Sequence, residues 1–154
     1  MLRSECLTLR YKFEPASVKL VVVTAWPPKP RLYFYDPSGP VTESLFKAMM
    51  RALRYNPATK EDGLREFQRR GYLLLDATYR PVDGLSEEAH DELILQSYSA
   101  LVAELTKILP DKSTPILLGL VRPRIRQVLV RRLRNDGFTL LTHPQFAALQ
   151  AAAE

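Results

Sequence analysis

Apolar residues recur along this chain in three rhythms, and each predicts a different element. Leu7, Leu9, Tyr11 and Phe13 alternate with Thr8, Arg10, Lys12 and Glu14 before Pro15. That period of two predicts an edge strand or extended arm with one buried face. Val18 to Val23 is instead a continuous apolar run, as expected for a strand covered on both faces in a parallel sheet. Tyr72 to Leu75, Ile116 to Leu120 and Phe138 to Leu141 repeat that pattern and predict three more strands.

Helical spacing fills the intervals. From Thr42, the residues Leu45, Phe46, Met49, Met50 and Leu53 form one apolar stripe. Asp62 is placed to cap a short helix carrying Leu64 and Phe67, with a Glu66/Arg70 pair and Gly71 at its end. Ser86, followed by Glu87 and Glu88, predicts the start of a helix running to about Leu109. Pro123 opens another, with Ile125, Val128, Leu129 and Leu133 inward and Gly137 as its stop. An alanine-rich helix follows Thr142-His143-Pro144.

Strands alternating with helices predict an α/β fold, a three-layer sandwich with a central four-stranded parallel sheet flanked by helices. No linker divides the chain, so residues 1–154 read as one domain. In such sheets ligands bind outside the carboxyl ends of the strands, near the point where strand order reverses. Four segments fall at those ends: Trp26 to Tyr35, Asp76 to Pro81, Val121 to Arg126 and Thr142 to Phe146. The first two contain no glycine-rich phosphate loop, which excludes a Rossmann or P-loop reading.

Composition narrows the partners. The 154 residues carry a formal charge of +5, which favours polyanions. Cys6 is the only cysteine, so cysteine-ligated clusters and intramolecular disulfides are excluded. Two histidines and scattered carboxylates have no metal-ligand spacing, and no cofactor is expected. The first residues lack the apolar run of a signal peptide, and no stretch is long enough to span a membrane. The expected compartment is the cytoplasm.

Taken in order, the four strand-end segments resemble the uracil-DNA glycosylase superfamily, in particular its short bacterial glycosylase-like members. Thr24-Ala25-Trp26-Pro27-Pro28 and Tyr33-Phe34-Tyr35 sit where that family has a proline-containing motif with a catalytic acid and then a base-stacking aromatic. Leu75-Asp76-Ala77-Thr78-Tyr79-Arg80-Pro81 takes the place of the base-recognising segment, and Thr142-His143-Pro144-Gln145 that of a His-Pro motif. The resemblance implies binding of nucleic acid, DNA in preference to RNA, or of a flipped base or nucleotide. This chain departs from the pattern at two places. Ala25 or Trp26 stands where the water-activating acid would be, and Asp76 replaces an asparagine.

Individual residues then acquire expected roles. Tyr33, Phe34, Tyr35 and Tyr79 would contact an extruded base, the alternative for the triplet being a strand with rings packed on the core. Trp26 and Pro27 would form a stiff wedge, or else a rigid turn with Trp26 capping the core. Asp76 would activate water or bind a base edge, or serve as a turn aspartate. His143 would stabilise charge on a leaving base. Lys29, Arg31, Arg80, Arg122 and Arg126 would contact phosphate, while Arg124, Arg131 and Arg134 read as a solvated helix face. His90 reads as a solvated side chain. Three functions follow: a glycosylase-like enzyme or degenerate relative, a non-catalytic binding module, and a nucleoside or nucleotide enzyme working through Asp76 and His143. The functional argument requires Trp26, Tyr33, Asp76 and His143 to share one pocket.

Overall fold

A computed structural model of the chain describes residues 1–152. Four parallel strands form one sheet: β1 (Leu20–Thr24), β2 (Tyr72–Asp76), β3 (Ile116–Leu118) and β4 (Leu140–Leu141), in the order β2-β1-β3-β4. Strand β1 is central, with Val22 opposite both Leu74 and Leu117. Its first four residues are fully buried, as the uninterrupted apolar run requires. Among the described residues seven helices surround the sheet: α1 (Arg3–Tyr11), α2 (Ser44–Leu53), α3 (Lys60–Arg69), α4 (Glu87–Gln96), α5 (Tyr98–Ile108), α6 (Arg124–Asn135) and α7 (His143–Ala152). The result is the three-layer sandwich expected from the alternation. Helix α2 packs on α7, and α4 packs on both α5 and α6.

The first segment departs from expectation. Residues 3–11 form a helix, not an edge strand. Its buried positions are Cys6 and Arg10, with Phe13 just beyond. That spacing of four and three is helical, but an arginine on the inner face disguises it as a polar break. The Leu2 N–H donates to Glu5 Oε2 at 3.2 Å, closing the helix start.

Two helix boundaries also shift. Thr59 caps α3 by accepting from the Asp62 N–H at 3.1 Å. Asp62 lies one turn in, where it accepts from Tyr55 Oη and the Ala58 N–H. The long helix after Ser86 is divided at Ser97. Its hydroxyl oxygen lies 2.9 Å from both Leu93 O and Thr78 Oγ1, a back-bond that bends helices and here ties the bend to the end of β2. The predicted Glu66/Arg70 pair forms at 2.7 Å, and Gly71 and Gly137 both adopt positive φ where helices end.

Candidate functional site at the carboxyl edge of the sheet

Strand order reverses at β1: the chain leaves it for β2 on one side and later returns to β3 on the other. The crevice outside β1 and β3 is therefore where this fold places a ligand. Trp26 follows β1 and Arg122 follows β3, and the two meet there. The Arg122 guanidinium lies 4.2 Å from the centre of the indole, and the His90 ring lies 4.4 Å from it. His90 Nε2 is 3.0 Å from Val82 O, which fixes the imidazole against the indole. Partial burial lowers the pKa of Arg122, and among the described residues no carboxylate pairs with it.

Trp26 and Arg122 stand between two cavities and line both. One, of about 300 Å³, is walled by Thr24, Pro28, Leu32, Glu43 and Leu45. The other, of about 380 Å³, is walled by His90, Asp91, Ile94, Pro123 and Ile125. In the second, Arg124 is committed to Asp91 at 2.8 Å and to Glu87 at 3.0 Å, leaving Arg122 as the cation facing open space. Leu32 and Val121 on the rim are each 40% exposed.

The loop carrying Trp26 is held from behind. A 3-10 turn at Pro30–Leu32 leads into Tyr33, Phe34 and Tyr35, which are 1%, 1% and 0% exposed. These three rings belong to the core, which corrects the expectation that they stack on a ligand. Phe34 packs edge-on against Tyr35 and Phe67 and near Phe46, at centroid distances of 5.0, 5.2 and 6.0 Å. The Leu74 N–H on the outer edge of β2 donates to Tyr35 Oη at 2.8 Å, so a side chain closes an otherwise open strand edge. Lys60, 1% exposed, donates from Nζ to the Tyr33 carbonyl, and burial lowers its pKa. Glu43 accepts from the Leu45 and Phe46 N–H groups, ending the loop as it starts α2.

Asp76 lies in a different environment. It is 3% exposed at the end of β2, an edge strand, with Cys6 and Arg10 of α1 and Glu104 of α5 nearby. Burial, reinforced by the nearby Glu104 and opposed by Arg10, pushes its pKa up to about 8. Arg10, also 3% exposed, lies 3.5 Å from Glu104 and 3.6 Å from Glu14. Arg3 reaches Glu104 from outside at 3.2 Å and lies 5.6 Å from the centre of the Tyr79 ring. Asp76 Oδ2, Tyr79 Oη and two Arg10 nitrogens lack hydrogen-bond partners among the described residues. Burial and the nearby Asp76 raise the pKa values of Cys6, to about 11, and of Tyr33. This is a dense buried polar cluster, and the cavities around Trp26 do not include it.

His143 sits beyond β4, at the far side of the sheet. Its Nε2 lies 2.9 Å from Leu118 O, and Arg126 Nη1 approaches the same carbonyl at 3.5 Å. The His143 ring thus reaches over the end of β3, two interstrand spacings, on the order of 10 Å, from the end of β2. None of the cavities around Trp26 or Asp76 is lined by His143, and the four residues required to share a pocket are divided among the core, the crevice and the ends of β2 and β3. Pro27 stays beside Trp26 on the crevice loop, and Lys29 and Arg31 are exposed further along it. Arg80 is exposed and donates to Gln96 Oε1 at 2.9 Å. Tyr79 and Arg80 line a separate cavity of about 300 Å³ with Asp76 and Glu104.

His90, expected to be a solvated side chain, instead packs on the indole, and Arg10, Lys60 and Glu104 carried no expected role at a site. A histidine in a polar helical stretch carries no sign that it will meet a tryptophan sixty-four positions earlier. Among the described residues no helix is long and apolar enough to cross a membrane, and no cluster of His, Cys, Asp and Glu is arranged to hold a metal. Comparison with protein-family models, curated proteins and solved structures yields no match to this chain.

Proposed function

We propose that the protein is a uracil-DNA glycosylase-like domain that binds nucleic acid and holds an unstacked base or nucleotide in the crevice around Trp26 and Arg122. One observation carries the reading. A half-exposed indole and a cation with no carboxylate partner meet at the reversal of strand order, between two cavities large enough for a small ligand. An aromatic face supplies stacking that is indifferent to sequence, and a guanidinium supplies planar phosphate recognition.

The chemistry around the crevice favours binding over hydrolysis. Neither Ala25 nor Trp26 can activate water, and the separation of Asp76 from His143 argues against a nucleoside hydrolase working through that pair. Fluorescence anisotropy with labelled single- and double-stranded DNA at low salt, with abasic-site formation assayed on uracil- and hypoxanthine-containing strands, tests both halves. The expected outcome is binding that weakens about tenfold in Trp26→Ala and in Arg122→Ala, with no abasic product; one lost stacking or charge-assisted contact is worth about that much. Absence of binding to any nucleic acid or nucleotide at low salt would remove the proposal.

A further inference from the structure

The crevice does not end at Leu45. The segment Val41 to Lys47 is a shared wall, with Thr42 lining both the cavity beside Trp26 and a third one of about 480 Å³ along α2. That third cavity is bordered by Phe46, Met50 and Tyr55 and by Lys47 and Arg51. The Tyr55 hydroxyl donates to Asp62 Oδ1 at 2.7 Å, which holds the ring in the wall. Three of the seven large hydrophobic residues that are well exposed, Leu32, Val41 and Val121, lie along this line.

Among the described residues, cations without a carboxylate within 4 Å occur on several faces, Arg131 and Arg134 on α6 included, and this face is one of them. Arg3, Arg10, Arg65, Arg69, Arg70 and Arg124 each lie within 4 Å of a carboxylate. Among the described residues Lys29, Arg31, Lys47, Arg51 and Arg122 have no such partner, although four of them line or flank this groove and the fifth, Arg31, is on the same loop. Helix α2 contains no acidic residue at all. Lys47 and Arg51 are one turn apart, a rise of about 6 Å along the axis, comparable to one nucleotide of an extended strand.

Resting on the crevice reading, we propose that the occupant is a single-stranded nucleic acid whose backbone runs along α2 over Arg51 and Lys47 and whose end nucleotide reaches Trp26 and Arg122. A single strand offers unstacked bases to base-sized hollows with apolar walls; a duplex keeps its bases stacked and presents a convex surface that these hollows do not fit.

The test compares a labelled single-stranded 12-mer, the matching duplex and a mononucleotide across a salt titration. Lys47→Ala/Arg51→Ala removes two exposed cations with no ion pair in the fold, and Arg131→Ala/Arg134→Ala removes equal charge on α6 as a control. The proposal expects the single strand to bind best. It expects the α2 pair to weaken that binding about tenfold or more and flatten the log–log salt slope by about 1.4, two phosphate contacts at roughly 0.7 each. Mononucleotide binding should be unchanged by the pair, and the α6 control should cost much less. Equal losses in both double variants, tighter binding of the duplex, or an unaffected 12-mer would overturn the track while leaving the crevice reading intact. Loss of mononucleotide binding in Arg122→Ala alone, with the polymer unaffected, would overturn the track as well.

Discussion

Two strand ends a single strand apart have opposite fates in this protein. Beyond β1, Trp26 and Arg122 face outward between two cavities, with a cation and apolar rim residues exposed. Beyond β2, Asp76 is 3% exposed near Arg10, Glu104 and Tyr79, at the floor of a separate cavity of about 300 Å³. Both ends lie on the carboxyl edge, where ligands are expected. The difference is coverage: connections diverge from the two central strands and leave a gap, whereas an edge strand can be closed over by a helix lying along it. Position along the chain therefore locates an edge, and only the neighbouring layer decides whether that edge is a site or core.

The sharpest way to break this comparison is to remove the buried cation. Arg10→Met should destabilise the fold by about 3–5 kcal/mol in urea unfolding, because Glu104 loses its internal countercharge. Arg122→Ala should stay within about 0.5 kcal/mol of the parent, as for other exposed positions. Equal effects would mean that the two strand ends are not distinct in kind.

Protonation separates them next. Asp76 titrates near 3.8 in an unfolded chain and near 8 in the folded one. Below the lower value both states hold the proton, and there is no differential effect. As pH rises between the two values the unfolded chain releases a proton that the folded chain retains, so stability declines through this window. Asp76→Asn should abolish that decline, which by linkage amounts to about 3–4 kcal/mol between pH 5 and pH 8, read from denaturant midpoints at the two pH values. A parent whose stability is flat across that range would mean that Asp76 is ionised and solvated, and hence available as a site residue.

The smallest effect concerns the rings behind the crevice. Tyr35→Phe leaves the Leu74 N–H on the edge of β2 without its acceptor and should cost about 1–2 kcal/mol. Amide exchange at Leu74 should accelerate selectively while nucleic-acid affinity is unchanged. A loss of affinity without loss of protection would instead return Tyr35 to the binding surface.

Much of the architecture was legible from spacing. The four apolar runs became the four strands, and the stripes at Leu45–Leu53 and Ile125–Leu133 became the inner faces of α2 and α6. The crevice was legible too, because a tryptophan among prolines at the end of a buried strand is unusual chemistry at a predictable place. The first helix was not, since its inner face includes Arg10, and an ion pair with a residue ninety-four positions away has no local signature. The triplet Tyr33-Phe34-Tyr35 is ambiguous in sequence for the converse reason. Aromatic residues suit both a core and a stacking platform, and only the positions of Phe46, Phe67 and Leu74 select the core.

By itself, then, the order of residues determined the parallel α/β sandwich and the edge at which to search, because both follow from local periodicity and from the one way strands and helices can alternate in a layer. Which strand ends remain open, whether Asp76 holds its proton, and that His90 and Arg122 converge on Trp26 were decided by tertiary packing. Those properties depend on burial and on contacts between residues far apart in the chain, and no local pattern encodes them.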